Sequence, residues 1–91
     1  MTFEWDDDKA RVNLEKHGVS FEEAATVFRD PLFLVFSDPD HSIEEARFLI
    51  VGESSERRVL IVSYTDRESA IRLVSAREAT KKEQRTYEEG L

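Results

Sequence analysis

Four strand-like stretches crowd the middle of the chain, and the connections between them are short. Leu32–Phe36 is a continuous apolar run, followed by Arg47–Val51, Val59–Thr65 and Ile71–Ala76. None of the intervening segments reaches the dozen or so residues that a parallel crossover needs, so consecutive strands must pair antiparallel. Leu32–Phe36 lies between Pro31 and Pro39, is too short for a helix, and reads as a strand covered on both faces. Gly52–Glu56 reads as a polar hairpin loop and Asp66–Ser69 as a tight turn. In the last stretch Ile71, Leu73 and Ser75 alternate with Arg72, Val74 and Ala76, the period of a half-buried strand.

Helical signals flank this meander. Phe3-Glu4-Trp5 alternates as a short first strand, and Asp6 then offers an N-cap, with Asp7 and Asp8 complementing the dipole of the first turn. The helix so begun places Ala10, Leu14 and His17 on one face and stops at Gly18, which suits the left-handed position after a helix. Ser20-Phe21-Glu22-Glu23 has the form of a capping box, and Phe21, Ala24, Ala25 and Phe28 form an apolar stripe that ends before Pro31. Ser75-x-x-Glu78 has the same form and predicts a last helix over Arg77 to Glu88, with Ala79, Glu83 and Tyr87 inward. The expected fold is α+β: an antiparallel sheet of about four strands, two N-terminal helices and one C-terminal helix, in a single domain spanning 1–91.

Cysteine is absent, which excludes disulfides, thiolate metal sites and a cysteine nucleophile. No apolar run approaches the ~20 residues that span a bilayer, and no signal peptide opens the chain, so a cytoplasmic protein without membrane contact is expected. The net charge of −7 taken whole argues against nucleic acid. Its distribution argues otherwise: residues 57–91 hold eight bases against six acids, whereas residues 31–56 hold six acids and only Arg47. A local anion site in an acidic molecule is compatible with this pattern.

Three groups of residues are suited to chemistry. Arg47, Arg72 and Arg77 sit on or beside neighbouring strands; singly each reads as a solvated strand residue, and together, if they converge, as a phosphate clamp. Tyr64 and Tyr87 suit base stacking or proton transfer, and Glu44 or Glu45 suits either a general base or an edge charge. His17, beside Lys16 and before Gly18, reads most plainly as a cation at a helix C-terminus and otherwise as a proton-transfer residue. Asp38-Pro39-Asp40-His41 holds candidate metal ligands, but its composition is also that of a turn, and no metal or cofactor is expected.

Several blocks together resemble the BrnT family of toxins. They are Phe3-Glu4-Trp5-Asp6, Lys16-His17-Gly18-Val19-Ser20-Phe21, Val27-Phe28-x-Asp30-Pro31, Asp40-His41, Glu45-x-Arg47-Phe48, Tyr64-Thr65-x-Arg67 and Arg72-x-x-Ser75-Ala76-Arg77, with Glu83 and Tyr87 beyond. The resemblance implies a RelE-like fold and the toxin of a type II toxin–antitoxin module, a ribonuclease that blocks translation. It implies a BrnA-like antitoxin with a ribbon-helix-helix DNA-binding part, DNA contact only through that antitoxin, and a homodimer or a heterotetramer with it. By position, His17, Arg47, Tyr64, Arg72 and Arg77 become the catalytic candidates, with Arg67 and Tyr87 for RNA binding; Lys81 and Lys82, from the basic last third of the chain, join them for RNA binding. The expected reaction is metal-independent cleavage by attack of a ribose 2′-hydroxyl on the adjacent phosphate. The alternative is a non-catalytic module, or a degenerate toxin, that only binds an acidic segment or an RNA backbone.

Overall fold

The structure, a computed structural model, describes residues 1–38 and 45–90. The chain runs β1 (Phe3–Glu4), α1 (Asp7–His17), α2 (Phe21–Thr26), a 3-10 turn (Val27–Arg29), β2 (Leu34–Ser37), β3 (Arg47–Glu53), β4 (Val59–Arg67), β5 (Ala70–Glu78) and α3 (Lys81–Glu89). The strands form one sheet in the order β1-β5-β4-β3-β2. The meander from β2 to β5 is antiparallel as expected, but the sheet has five strands rather than four and is mixed. The fifth is β1, which lies parallel to β5 with Phe3 opposite Ile71 and Glu4 opposite Arg72. Residues 5–69 separate these two strands, so the parallel pairing needs no tight connection.

The helices α1 and α2 cover one face of the sheet. Phe21, Val19, Val27, Ile50, Leu60, Val62 and Leu73 are wholly buried between them. An edge-to-face aromatic chain extends this core, with ring centroids 5.1 Å apart for both Phe3–Phe28 and Phe28–Tyr64. Gly52, placed in a hairpin loop by its sequence, lies instead inside β3 and is buried. A Cβ there would stand 3.0 Å from Val27 and 3.1 Å from the Asp30 carboxylate, so only glycine lets β3 pass under the 3-10 turn.

The helix N-caps follow the sequence at two of three places, and the one expected C-cap is also met. Asp6 accepts from the Lys9 amide, Ser20 from the Glu23 amide, and Gly18 takes φ 68° after α1. Glu23 does not complete the box; its carboxylate turns to the Ser54 hydroxyl and to Arg58, 2.5 Å away. The third cap lies five residues beyond the expected one. β5 continues to Glu78, paired with Leu60, so Ser75 caps nothing, and Thr80 with Glu83 forms the capping box of α3. Two sequences of the same form compete here, and the one clear of the strand ladder prevails.

Two burial expectations fail. Leu32, Phe33 and Val35 are 69%, 44% and 44% exposed, because β2 is an edge strand and not one covered on both faces. In α1, Leu14 is 52% exposed and His17 is exposed, while the inward residue is Asn13. Its amide nitrogen donates to the Ala76 carbonyl at 2.8 Å and the Val19 carbonyl at 2.9 Å, and its oxygen accepts from the Ala76 amide at 3.0 Å. A helical side chain thus pairs with the free edge of β5 much as a neighbouring strand would.

β5 also carries a bulge. Ser63 opposes Ser75 and Tyr64 opposes Leu73, so Val74 is an extra residue. The alternation of the sequence therefore changes phase: Ile71, Leu73 and Ala76 face the core, whereas Ser75 is exposed.

Replacing Asn13 by Ala strands three buried backbone groups and is expected to cost about 2–4 kcal/mol of unfolding free energy. Asn13→Asp is expected to fare no better, since its carboxylate would face two carbonyl oxygens. Urea denaturation with an unchanged m-value checks both.

Candidate functional site

The sheet face away from α1 and α2 has two ends of different character. At one end α3 lies over Leu34, Phe36, Leu49, Val51 and Ile61, enclosing an apolar trough of about 190 Å³. Arg77 points into it and is held by both oxygens of Glu83, at 2.8 and 2.9 Å. This bidentate pair holds the Glu83 carboxyl down at about 2, and raises the Arg77 guanidinium above its ordinary value. Tyr87 closes the same end by donating to Asp30. Burial, then that bond and the Asp30 charge, push the Tyr87 phenol up to about 12. Burial opposes charge on Asp30, but the amides of Glu53 and Leu32 and the Tyr87 hydroxyl outweigh it, so its carboxyl stays below the usual range. Both residues are therefore fastened to the fold.

The other end is a row across three strands. Arg47 on β3 opposes Thr65 on β4, and Thr65 opposes Arg72 on β5. Their chain neighbours Phe48, Tyr64 and Leu73 belong to the core side, so the three side chains of the row lie on the open side. Arg72 meets Glu4 across the parallel pair in one long contact of 3.6 Å. The Arg47 Nε is buried and has no hydrogen-bond acceptor among the described residues. Arg67 is engaged by Glu45 at 3.2 Å. The Thr65 hydroxyl and then Arg67 draw the Glu45 carboxyl below its usual range, although the Thr65 geometry falls short of a formed hydrogen bond. A carboxylate so held is a weak proton acceptor at neutral pH.

Beside the edge of β5 runs a groove of about 380 Å³, lined on α1 by Asp8, Lys9, Val12, Asn13, Lys16 and His17 and on β5 by Val74 and Ser75. The two bulge residues connect this groove to the open face, where Ser75 lies between Arg72 and Arg77. An imidazole and two ammonium groups thus line a groove that reaches β5 at the bulge, two residues along the strand from Arg72.

The expected clamp of Arg47, Arg72 and Arg77 is not assembled as a triad. Arg72 and Arg77 oppose Thr65 and Ile61, four positions apart on β4 and so about 13 Å along the strand, and only Arg47 and Arg72 share an end. Tyr64 is 8% exposed on the core side, stacked among Phe28 and Phe48, and burial, then the Asp66 charge, raise its phenol above the ordinary value. Lys81 and Lys82 are exposed on the first turn of α3. Asp40, His41 and Glu44 lie outside the described residues. Among the described residues no three His, Cys, Asp or Glu side chains group as metal ligands. Sequence reasoning passed over Lys9 and the Thr65 hydroxyl; the spacing of Lys9, Lys16 and His17 along one helical stripe was the available signal.

The sequence matches, over residues 5–83, the family described as the ribonuclease toxin BrnT of type II toxin–antitoxin systems. The chain belongs to the BrnT family. A crystal structure of the Brucella abortus ribonuclease toxin BrnT superposes with a TM-score of 0.68 and 24% identity, covering 89% of this chain and 99% of that one. At that identity the likeness concerns the fold, and it supports the α+β architecture of this BrnT-family chain. No curated protein matches it. Among the described residues no helix is long and apolar enough to cross a membrane.

The two links of α3 titrate in opposite directions. Glu83 is depressed from 4.5 to about 2, so its contribution is complete above pH 4.5 and is lost as pH falls toward 2. Tyr87 is raised from 10 to about 12, so its contribution is complete below pH 10 and is lost as pH rises through 12. A tyrosinate absorbance titration of wild type minus Tyr87→Phe is expected to show one group ionising near 12. A value near 10 would mean that the Asp30 bond does not form.

Proposed function

We propose that this chain is a RelE-like, metal-independent endoribonuclease that blocks translation by cutting RNA in the cytoplasm. The observation that carries the reading is the row of Arg47, Thr65 and Arg72, joined to His17 through the bulge at Val74 and Ser75. Three other arginines in or beside the sheet are spent on carboxylates: Arg58, just before β4, on Glu23 and Glu78, Arg67 on Glu45, and Arg77 on Glu83. Arg72 keeps one long contact, and Arg47 has no carboxylate partner among the described residues. These are the guanidinium groups that a phosphodiester can recruit at least cost, since it need not displace a bidentate carboxylate.

In the proposed reaction the ribose 2′-oxygen attacks phosphorus and the bond from phosphorus to the 5′-oxygen breaks. A 2′,3′-cyclic phosphate and a 5′-hydroxyl result. Arg72 and Arg47 receive the charge developing on the phosphoryl oxygens, and His17 exchanges a proton with the attacking or leaving oxygen. Lys9, Lys16 and the exposed Lys81 and Lys82 hold neighbouring phosphates, whereas Arg67 would first have to leave Glu45. Tyr64, Tyr87 and Arg77 act by keeping the sheet and α3 in place. The partner is a BrnA-like antitoxin with a ribbon-helix-helix part, in a heteromeric complex that reaches DNA only through it.

RNA incubated with purified protein and excess chelator tests this reading. Wild type is expected to leave cyclic-phosphate ends, and Arg72→Ala to cleave about 10²–10³ times more slowly without loss of thermal stability. His17→Ala is expected to slow cleavage by about 10²–10⁴. Full activity in both variants would sink the assignment, loss of wild-type cleavage in chelator would sink metal independence, and RNA binding without cleavage would leave a binding module.

A further inference from the structure

Among the described residues no strand lies beyond the outer edge of β2. Residues 32–37, Leu-Phe-Leu-Val-Phe-Ser, contain no charge and no proline, and the strand is the last of the sheet. Exposed edges of this composition template further pairing, and proteins ordinarily blunt them with lysine, proline or a bulge. The opposite edge is handled differently: β1 is only two residues long and presents Glu4.

Apolar groups stand on both sides of the β2 edge. Phe33 and Val35, each 44% exposed, lie toward the helix-covered face, where the Phe33 Cβ approaches Gly52. Leu34 and Phe36 line the trough under α3 on the other face. A strand laid beside β2 therefore meets apolar side chains at every position, whichever way they alternate. The surrounding sequence is acidic, with six carboxylates against Arg47 over residues 31–56. A second copy would bring two such acidic regions and two net charges of −7 together, whereas a basic segment is attracted. Membership of a toxin–antitoxin family supplies a protein partner.

We infer that the β2 edge receives an extended segment of the antitoxin as a sixth strand, its apolar side chains against Phe33–Phe36 and its lysines or arginines toward the surrounding acids. The inference rests on the antitoxin part of the proposed function and not on the cleavage chemistry. Arg72 lies three strands away across the sheet, so this edge anchors the antitoxin and does not itself cover the arginine row.

Calorimetric titration of wild type and Val35→Lys with the purified cognate antitoxin, with RNA cleavage followed in parallel, is the test. Val35→Lys is expected to weaken binding by about thirtyfold or more, the scale of losing a central interface residue, with cleavage unchanged. Unchanged affinity overturns the inference. Hydrogen exchange in the wild-type complex gives an independent reading: the amides of Leu34–Ser37 are expected to slow on binding, and their failure to do so overturns it even where the variant misfolds. A free chain that is dimeric, and is made monomeric by Val35→Lys, assigns the edge to a second copy and overturns it as well. Wild type that binds antitoxin through β2 but leaves RNA intact upholds the inference while the ribonuclease reading fails.

Discussion

The buried amide of Asn13 determines how the helices meet the sheet. β1 stops at Glu4, so beyond Arg72 the outer edge of β5 has no strand beside it. Asn13 supplies both a donor and an acceptor to Ala76 and a second donor bond to Val19, satisfying groups that would otherwise be buried unpaired. Three segments are fixed at once: the middle of α1, the turn into α2 and the far half of β5. The end of α1, with Lys16 and His17, is consequently held beside the bulge. The proposed proton-transfer residue is thus held beside the bulge by an uncharged amide that takes no part in chemistry.

Charge is the second organising constraint. The chain is acidic, yet most of its carboxylates near the sheet are paired with particular guanidinium groups, as Glu23 is with Arg58 and Glu83 with Arg77. Glu23 also takes the Ser54 hydroxyl, and its carboxyl is held below the usual range chiefly by the Arg58 bond. Such pairs fasten α2 and α3 to the hairpins beneath them. What distinguishes the proposed site is incomplete neutralisation, and the negative total does not prevent a local attraction for phosphate.

Much of this was legible before any coordinates. The short connections fixed the antiparallel meander, and the Asp6, Ser20 and Gly18 signals marked the ends of α1 and the start of α2, because local hydrogen bonding decides caps. The family emerged from blocks such as Lys16-His17-Gly18-Val19 and Ser75-Ala76-Arg77. Other features depend on distant partners and were not legible. Phe3-Glu4-Trp5 read as a short strand, but its parallel place beside Ile71 and Arg72 did not show. The exposure of Leu32, Phe33 and Val35 follows from the absence of a strand beyond β2, which a run of apolar residues does not reveal. Tyr64 and Arg77 looked alike as polar candidates, but one went to the core and the other to Glu83. The sequence offered no means of telling which arginines their carboxylates would claim.

The extra residue in β5 has a consequence for how the site varies. Five positions separate Arg72 from Arg77, an odd number, and on a regular strand they would emerge on opposite sides of the sheet. Val74 shifts the phase by one, so both emerge on the same side. The distance between the two arginines and the presence of that residue are thus a single heritable unit. A relative without the insertion keeps the pattern when its second arginine stands four positions after the first; at a spacing of five on a regular strand the guanidinium would be directed to the core side, where Leu60 and Val62 lie. Alignments that place no gap here between a relative without the extra residue and this chain therefore compare residues from different sides of the molecule.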